Sequence, residues 1–213
     1  MLVKERMTHN PIVIRPDVPV TEAQTLMKRE KIHHLPVVDK DRLVGIVAEK
    51  DLLYAAPSPA TTLSVYEMTS LLAKLAVDKV MSRNVVTVTE DVPIEEAARI
   101  MADHDIGGLP VMRGKTVVGI ITESDMFRVF IELFGARQKG VRLSILIPEQ
   151  KGILAKITKA IADAGGNIIA LGTFLGEDPT NGLCTIKVDG VAKEDLMRAL
   201  KPLIQKFEDI REV

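Results

Sequence analysis

The segment from Met7 to Leu53 recurs, without a gap, as Met81 to Phe127. Matched identities include Met7/Met81, Asn10/Asn84, Asp17/Asp91, Pro19/Pro93, Ala23/Ala97 and Met27/Met101. They continue with Ile32/Ile106, Leu35/Leu109, Pro36/Pro110, Val37/Val111, Gly45/Gly119, Glu49/Glu123 and Asp51/Asp125. One register held over that length implies one structural unit built twice. Two such units, each with an apolar sheet face to bury, are expected to pack face to face with pseudo-two-fold symmetry. That arrangement leaves two equivalent clefts, and ligands favour such interfaces.

Each copy reads as β-α-β-β-α. Ile12-Val13-Ile14 and Val86-Thr87-Val88 are short β-branched runs. Asp17-Val18-Pro19 and Asp91-Val92-Pro93 are helix entry signals, with proline tolerated in a first turn. Ala23, Leu26 and Met27, like Ala97, Ile100 and Met101, then share one helical face. Leu35–Val38 and Leu109–Met112 read as strands, Asp39–Asp41 and Arg113–Lys115 as hairpin turns, and Leu43–Val47 and Val117–Ile121 as strands apolar throughout. Pro57-Ser58-Pro59 breaks the chain between the copies, and Val65, Met68, Leu71, Leu72 and Leu75 mark an amphipathic linker helix. The last helix of copy two runs to about Phe134 and stops at Gly135. Its stripe Met126, Phe127, Phe130 and Phe134 suits a core or a dimer interface.

Residues 140–213 carry no third copy. Val141–Ile147 is a strand, Ile153, Leu154, Ile157 and Ile161 form a helical stripe ended by Gly165-Gly166, and Asn167–Leu175 is a strand. Asp178–Gly182 is a turn, Leu183–Val188 a strand, Lys193–Lys206 a helix and Asp209–Val213 an edge strand. This β-α-β-β-α-β order is ferredoxin-like. The fold expected is therefore mixed α+β and α/β: copy one over 1–60, linker helix and copy two over 61–135, and a third domain over 140–213.

The bulk composition narrows the function. Hydrophobic residues make up 46% of the 213 and charged residues 27%, enough for packed cores. A formal net charge of -1 argues against nucleic acid as a partner. The one cysteine, Cys184, excludes an internal disulfide and reads as a buried small hydrophobe. The N-terminus has no secretory h-region and no apolar run approaches the roughly 20 residues that span a bilayer, so a cytoplasmic location is expected. There is no Walker loop, G-x-G-x-x-G, H-E-x-x-H or G-x-S-x-G. The adjacent His33 and His34 would point to opposite faces of a strand and cannot easily chelate one ion. The chain is therefore read as non-catalytic, with no metal and no cofactor.

Ile32-His-His-Leu-Pro-Val37 with Gly45-Ile-Val-Ala-Glu-Lys-Asp51, and Ile106-Gly-Gly-Leu-Pro-Val111 with Gly119-Ile-Ile-Thr-Glu-Ser-Asp125, resemble the motifs of CBS repeats. Residues 7 to about 134 look like one tandem CBS (Bateman) module. The resemblance implies an adenosine ligand: AMP, ADP, ATP or S-adenosylmethionine. It implies that Asp51 and Asp125 hold ribose hydroxyls, in line with a carboxylate's acceptor-only chemistry. It implies that Ile12, Ile32, Val86 and Ile106 flank the adenine, and that Thr122 and Ser124, with helix N-terminal amides, meet a phosphate. In the kinase γ-subunits of that family a histidine at the position of His33 lies near phosphate, which extends the expectation to His33 and His34. A solvated strand-end pair is the plainer account of the same histidines. Thr122-x-x-Asp125 is also close to a helix capping box, which needs no ligand. Copy one has Ala48 where copy two has Thr122, so the Asp125 cleft is expected to be the better nucleotide site.

Pro148-Glu-Gln-Lys-Gly152-Ile-Leu154 followed by Gly165-Gly-Asn-Ile168 resembles the ACT domain, an effector-binding module of amino-acid metabolism. The resemblance implies a small amino-acid effector at Gly152, Ile153, Leu154 and Asn167, and pairing into a homodimer. A glycine there lets a carboxylate approach the helix N-terminus, although Gly152 can equally serve only to make a turn. Gln150 stands where that family often has Asp. The order of domains is similar to that of the acetoin-utilisation B-type proteins. Three functions stay open: a nucleotide sensor controlling a partner protein, an amino-acid-responsive regulator on a CBS scaffold, and a dimerisation module without ligand.

Overall fold

The computed structural model of the chain describes residues 1–55 and 74–213. The Pro57–Pro59 breaker and the linker helix through Val65, Met68, Leu71 and Leu72 lie outside those residues. The chain forms two compact units, Met1–Met126 and Phe127–Val213.

The first unit contains both copies. In chain order its elements are β1 (Thr8–His9), α1 (Val20–Glu30), β2 (His34–Asp39), β3 (Arg42–Ala48), α2 (Glu49–Tyr54), β4 (Val88–Thr89), α3 (Ile94–His104), β5 (Gly108–Arg113), β6 (Thr116–Thr122) and α4 (Glu123–Leu133), the last running on past the unit's end. Pro19 and Pro93 stand just before the first helical residue, in extended conformation, rather than inside the first turn. Val20, Ala23 and Met27 bury one face of α1, and Ile94, Ala97 and Met101 the same face of α3. Both helices end on a left-handed residue, Lys31 and Asp105. The hairpin β2–β3 turns on Lys40 and Asp41, both at positive φ, as a two-residue turn that matches strand twist requires. In the equivalent turn, Gly114 supplies the positive φ.

The copies exchange their entry segments. Thr8 and His9 pair with Ile120 and Gly119 of copy two, and Ser82 pairs with Ile46 of copy one. The Val3 N–H donates to the Val92 carbonyl at 2.9 Å, and the Val77 N–H to the Val18 carbonyl at 2.9 Å. Val77 and Met81 accordingly belong to the core of copy one, with Val20, Met27, Leu35 and Leu52. The matched glycines explain the exchange at atomic level. A Cβ on Gly119 would overlap the Met7 thioether, and one on Gly45 would overlap that of Met81. The identities Met7/Met81 and Gly45/Gly119 are thus one contact made twice.

The strands expected at Ile12–Ile14 and Val86–Val88 are shorter than the β-branched runs suggest. In copy one only Ile14 pairs, as an isolated bridge to Val37. In copy two Val88 and Thr89 pair in parallel with Val111 and Met112. Pro11 and Pro16 flank the first run where Val85 and Glu90 flank the second, and a proline has no N–H to give a ladder.

The second unit is the four-stranded antiparallel sheet β7 (Val141–Pro148), β8 (Asn167–Leu175), β9 (Asn181–Asp189) and β10 (Lys206–Glu212), in the order β10-β7-β9-β8, with helices α5 (Ile153–Asp163) and α6 (Lys193–Leu200). Leu143, Ile145, Ile157, Ile161, Cys184, Ile186, Leu196 and Leu200 form its core. Burial pushes the Cys184 thiol up to about 11, so it packs as a hydrophobe and is no nucleophile at neutral pH. The helix expected over Lys193–Lys206 ends at Leu200. A 3-10 turn, Lys201–Leu203, follows, and β10 starts at Lys206. Pro202 is the cause, because it supplies no N–H and crowds the preceding turn.

Of the phenylalanine stripe on α4, Phe127 is 69% exposed, while Phe134 stacks on Phe174 with ring centroids 6.1 Å apart. Gly135, at positive φ, closes α4, and its carbonyl accepts a hydrogen bond of 2.9 Å from the Lys187 ammonium, on a residue only 5% exposed. A buried cation at a helix C-terminus complements the free carbonyls there. Lys187→Met keeps the apolar stem and removes the donor. It should lower stability by about 1–3 kcal/mol, read as a fall in thermal midpoint of several degrees.

Candidate functional site

A cleft of about 160 Å³ lies within the first unit. Its walls come from both copies: His34, Ile46 and Ala48 from the first hairpin, Lys50 and Asp51 from α2, Ser82 to Val86 except Arg83 from the exchanged segment, and Ile106, Gly107 and Gly108 from the start of β5. Among the described residues the apolar lining is aliphatic: Ile46, Ala48, Val85, Val86 and Ile106. Four of the residues expected to bind nucleotide, His34, Asp51, Val86 and Ile106, are thereby brought together.

Asp51 sits three residues after Ala48, where a carboxylate can reach back to cap α2. Its Oδ2 accepts the Ala48 N–H at 2.8 Å. One hydrogen bond leaves most of the acceptor capacity of a half-buried carboxylate for something in the cleft. Asp125 makes more internal bonds. Its Oδ2 accepts both the Thr122 N–H at 2.9 Å and the Thr122 hydroxyl at 2.8 Å, and the residue is 5% exposed. The Thr122 hydroxyl is thus committed to a carboxylate, Ser124 is exposed, and Ile12 is 39% exposed.

The two histidines part company. His33 is exposed, and its Nδ1 lies 2.7 Å from Glu49 Oε2. The His34 ring lies against Gly107 and Gly108, where an added Cβ would come within 3.3 Å of it. Copy two has Gly107 and Gly108 at the positions of His33 and His34, and the missing side chains make that room. Burial first, then the charge of His33, hold the His34 imidazole below the ordinary histidine value of 6.5; Lys50 acts the same way, while Glu123 and Asp51 pull upward. A histidine lowered in the folded state binds protons more readily when unfolded. Stability should therefore be complete above pH 6.5 and decline as pH falls below it. Thermal midpoints measured down to pH 5 check this, with His34→Gln expected to flatten the decline.

The lining residues Lys50, Ser82, Asn84, Gly107 and Gly108 had no assigned role in the sequence reading. The identity Asn10/Asn84 was a signal, but its meaning depends on the segment exchange. In the second unit the expected effector residues are not all brought together. Gly152, at positive φ with open space where a Cβ would go, stands at the N-terminus of α5. Ile153 is buried in the core and Leu154 is exposed. Asn167 opens β8, beyond the opposite end of α5. Among the described residues no group of three or more His, Cys, Asp or Glu is placed to hold a metal ion, and no helix is long and apolar enough to cross a membrane.

Comparison with known proteins agrees with this architecture. The model of the CBS domain matches residues 3–58 and 77–132, and that of the AHAS small subunit-like ACT domain matches residues 143–212. A CBS domain-containing protein of Dictyostelium discoideum is 33% identical over 135 residues, covering 62% of this chain and 93% of that protein. The L-aspartate semialdehyde sulfurtransferase of Methanocaldococcus jannaschii is 32% identical over 131 residues, covering 61% of this chain. The match covers only 23% of that enzyme, so most of the enzyme's length lies outside the similarity. Among solved structures, the CBS domain pair of protein MJ0100, in complex with 5′-methylthioadenosine and S-adenosyl-L-methionine, is 31% identical with a TM-score of 0.52, covering 65% of this chain and 98% of that one. A Vibrio cholerae protein assigned to acetoin utilization (AcuB) is 33% identical with a TM-score of 0.53, covering 64% of this chain and 95% of that one. With two CBS domains that together match more than half of its length, followed by an ACT-type domain, the chain belongs to the CBS-domain family.

Proposed function

We propose that this chain is a non-catalytic sensor that binds an adenosine-containing ligand in the Asp51 cleft and passes that state to a partner protein. The observation that carries the reading is a half-buried carboxylate with spare acceptor capacity, set in a cleft with aliphatic walls. An adenosine has the complementary parts: a flat base for the aliphatic walls and two vicinal hydroxyls for the carboxylate. The adenosine compounds held by the CBS pair of MJ0100, at 31% identity, support the same ligand class. The Asp125 position is a second candidate, with its carboxylate already engaged by Thr122.

The ACT-type unit is proposed to add a response to a small amino acid, whose carboxylate would meet the N-terminus of α5 beside Gly152. Asn167 is too far along the same unit to share that ligand within one chain, so the effector reading includes pairing into a homodimer. A cytoplasmic location fits a nucleotide ligand.

Thermal-shift measurement on the purified chain tests the proposal, with AMP, ADP, ATP, S-adenosylmethionine and the common amino acids. A ligand at about 100 times its dissociation constant adds roughly 2.7 kcal/mol of stability. At least one adenosine compound is expected to raise the midpoint. If none does at millimolar concentration, the sensor reading fails and the CBS pair is scaffold.

A further inference from the structure

A larger hollow lies wholly within the C-terminal unit, and neither Gly152 nor Asn167 is among its walls. The early end of α6 at Pro202 shapes it. The chain turns through Lys201–Leu203 and brings Ile204 to Phe207 back beside the helix. Glu194, Met197, Arg198 and Lys201 recur at i, i+3, i+4 and i+7, so they present one face to the returning chain. The groove between them measures about 580 Å³, within the range of small-molecule sites. Its floor is apolar: Met197 is exposed along it, and Ile204 and Phe207 rest on the core of the unit.

Cations from three elements line this groove: Arg198 of α6, Lys201 of the 3-10 turn and Lys206 of β10. Arg198 and Lys201 also offset the free carbonyls at the end of α6, but Lys206 has no such role. The Arg198 guanidinium meets Asp195 at 3.1 Å, and the Lys206 ammonium meets Glu208 at 2.7 Å and Glu177 at 3.8 Å. Those three carboxylates stand outside the groove. Exposed pairs of this kind contribute little, and the donors of a guanidinium or an ammonium outnumber them. Among the described residues Lys201 forms no ion pair. The one carboxylate in the lining, Glu194, lies seven residues before Lys201, roughly 10 Å along the helix axis. We infer that the groove binds a small apolar carboxylate, with its body on Met197, Ile204 and Phe207 and its carboxylate at Lys201 and Lys206. The site is complete within one chain, whereas the effector reading at Gly152 and Asn167 needs two.

Methionine-methyl NMR titration of the full chain tests the inference, with hexanoate, octanoate, hexanol and hexylamine as probes. The Met197 signal is the one lost in Met197→Leu. Hexanoate is expected to shift that signal and to bind roughly tenfold tighter than hexanol or hexylamine. Octanoate should bind tighter still, by up to about fourfold for each further CH₂ that is buried. Lys201→Gln combined with Lys206→Gln should bring hexanoate down to the affinity of hexanol, while Lys201→Arg with Lys206→Arg keeps the preference. The preference should also shrink with added salt. An unmoved Met197 signal at about 10 mM hexanoate, equal binding of hexanol, or a preference untouched by the double glutamine change overturns the inference. Octanoate that moves other methionine signals and leaves Met197 in place overturns it as well, because the acid then binds elsewhere.

Discussion

Gly45→Ala is expected to destabilise the first unit by about 1–3 kcal/mol, although it adds a single methyl group to a strand. The new Cβ would overlap Met81 and come within 3.1 Å of the Ser82 carbonyl. That carbonyl accepts the Ile46 N–H at 3.0 Å, while the Ser82 N–H donates to Ile46 at 2.9 Å, so the backbone cannot withdraw without breaking both bonds. At Gly119→Ala the three nearest atoms all belong to the side chain of Met7, which can move, and the change should cost less. Shortening the partner checks the cause. Met81→Ala alone opens a cavity, but Met81→Ala with Gly45→Ala should be less destabilised than the sum of the two changes. Denaturant unfolding of the four chains in that cycle measures it. Strict additivity would mean that Met81 does not pack on copy one, and the exchanged arrangement would be wrong.

Substitutions of the two motif aspartates should separate binding from folding. Asp51→Ala removes one helix cap, worth about 1 kcal/mol, and the acceptor proposed for the ribose. Hydrogen bonds to a charged group contribute about 1.5–3 kcal/mol each, so losing two should lower ligand affinity by roughly a hundredfold or more, and the thermal shift should vanish. Asp125→Ala removes the acceptor of the Thr122 N–H and of the Thr122 hydroxyl from a buried position. Its cost should appear in the unliganded protein, at about 1–3 kcal/mol, with ligand affinity reduced far less. Midpoints with and without AMP, taken on both variants, distinguish the two. The reverse pattern, with binding lost only in Asp125→Ala, would move the ligand to the other cleft.

Much of the architecture was legible before any coordinates. A repeat in constant register, with helical and strand periods alternating inside it, leaves little choice of secondary structure. The same holds for β-α-β-β-α-β in the C-terminal unit, where Pro202 was the residue that should have shortened the last helix. The short strands were harder to read, because Pro11 and Pro16 remove ladder donors from a run whose side chains alone favour β structure.

What the sequence determined by itself was local: element types, the repeat, and the motif carboxylates Asp51 and Asp125. These follow from nearest neighbours along the chain, where periodicity and capping act. Only the tertiary structure decided which segment pairs with which copy, because Met7 and Met81 fit equally well in sequence against either matched glycine. It also decided which backbone and side-chain donors meet the two carboxylates. Of the two expectations for Thr122, a phosphate contact and a capping pair with Asp125, the folded chain displays the hydrogen bonds of the pair. Asp51 accepts the Ala48 N–H at a cleft whose far walls, Asn84 and Gly107, come from the other half of the repeat. A hydrogen bond has room for few partners, and which partner arrives is settled by distance in space, which one-dimensional spacing does not encode.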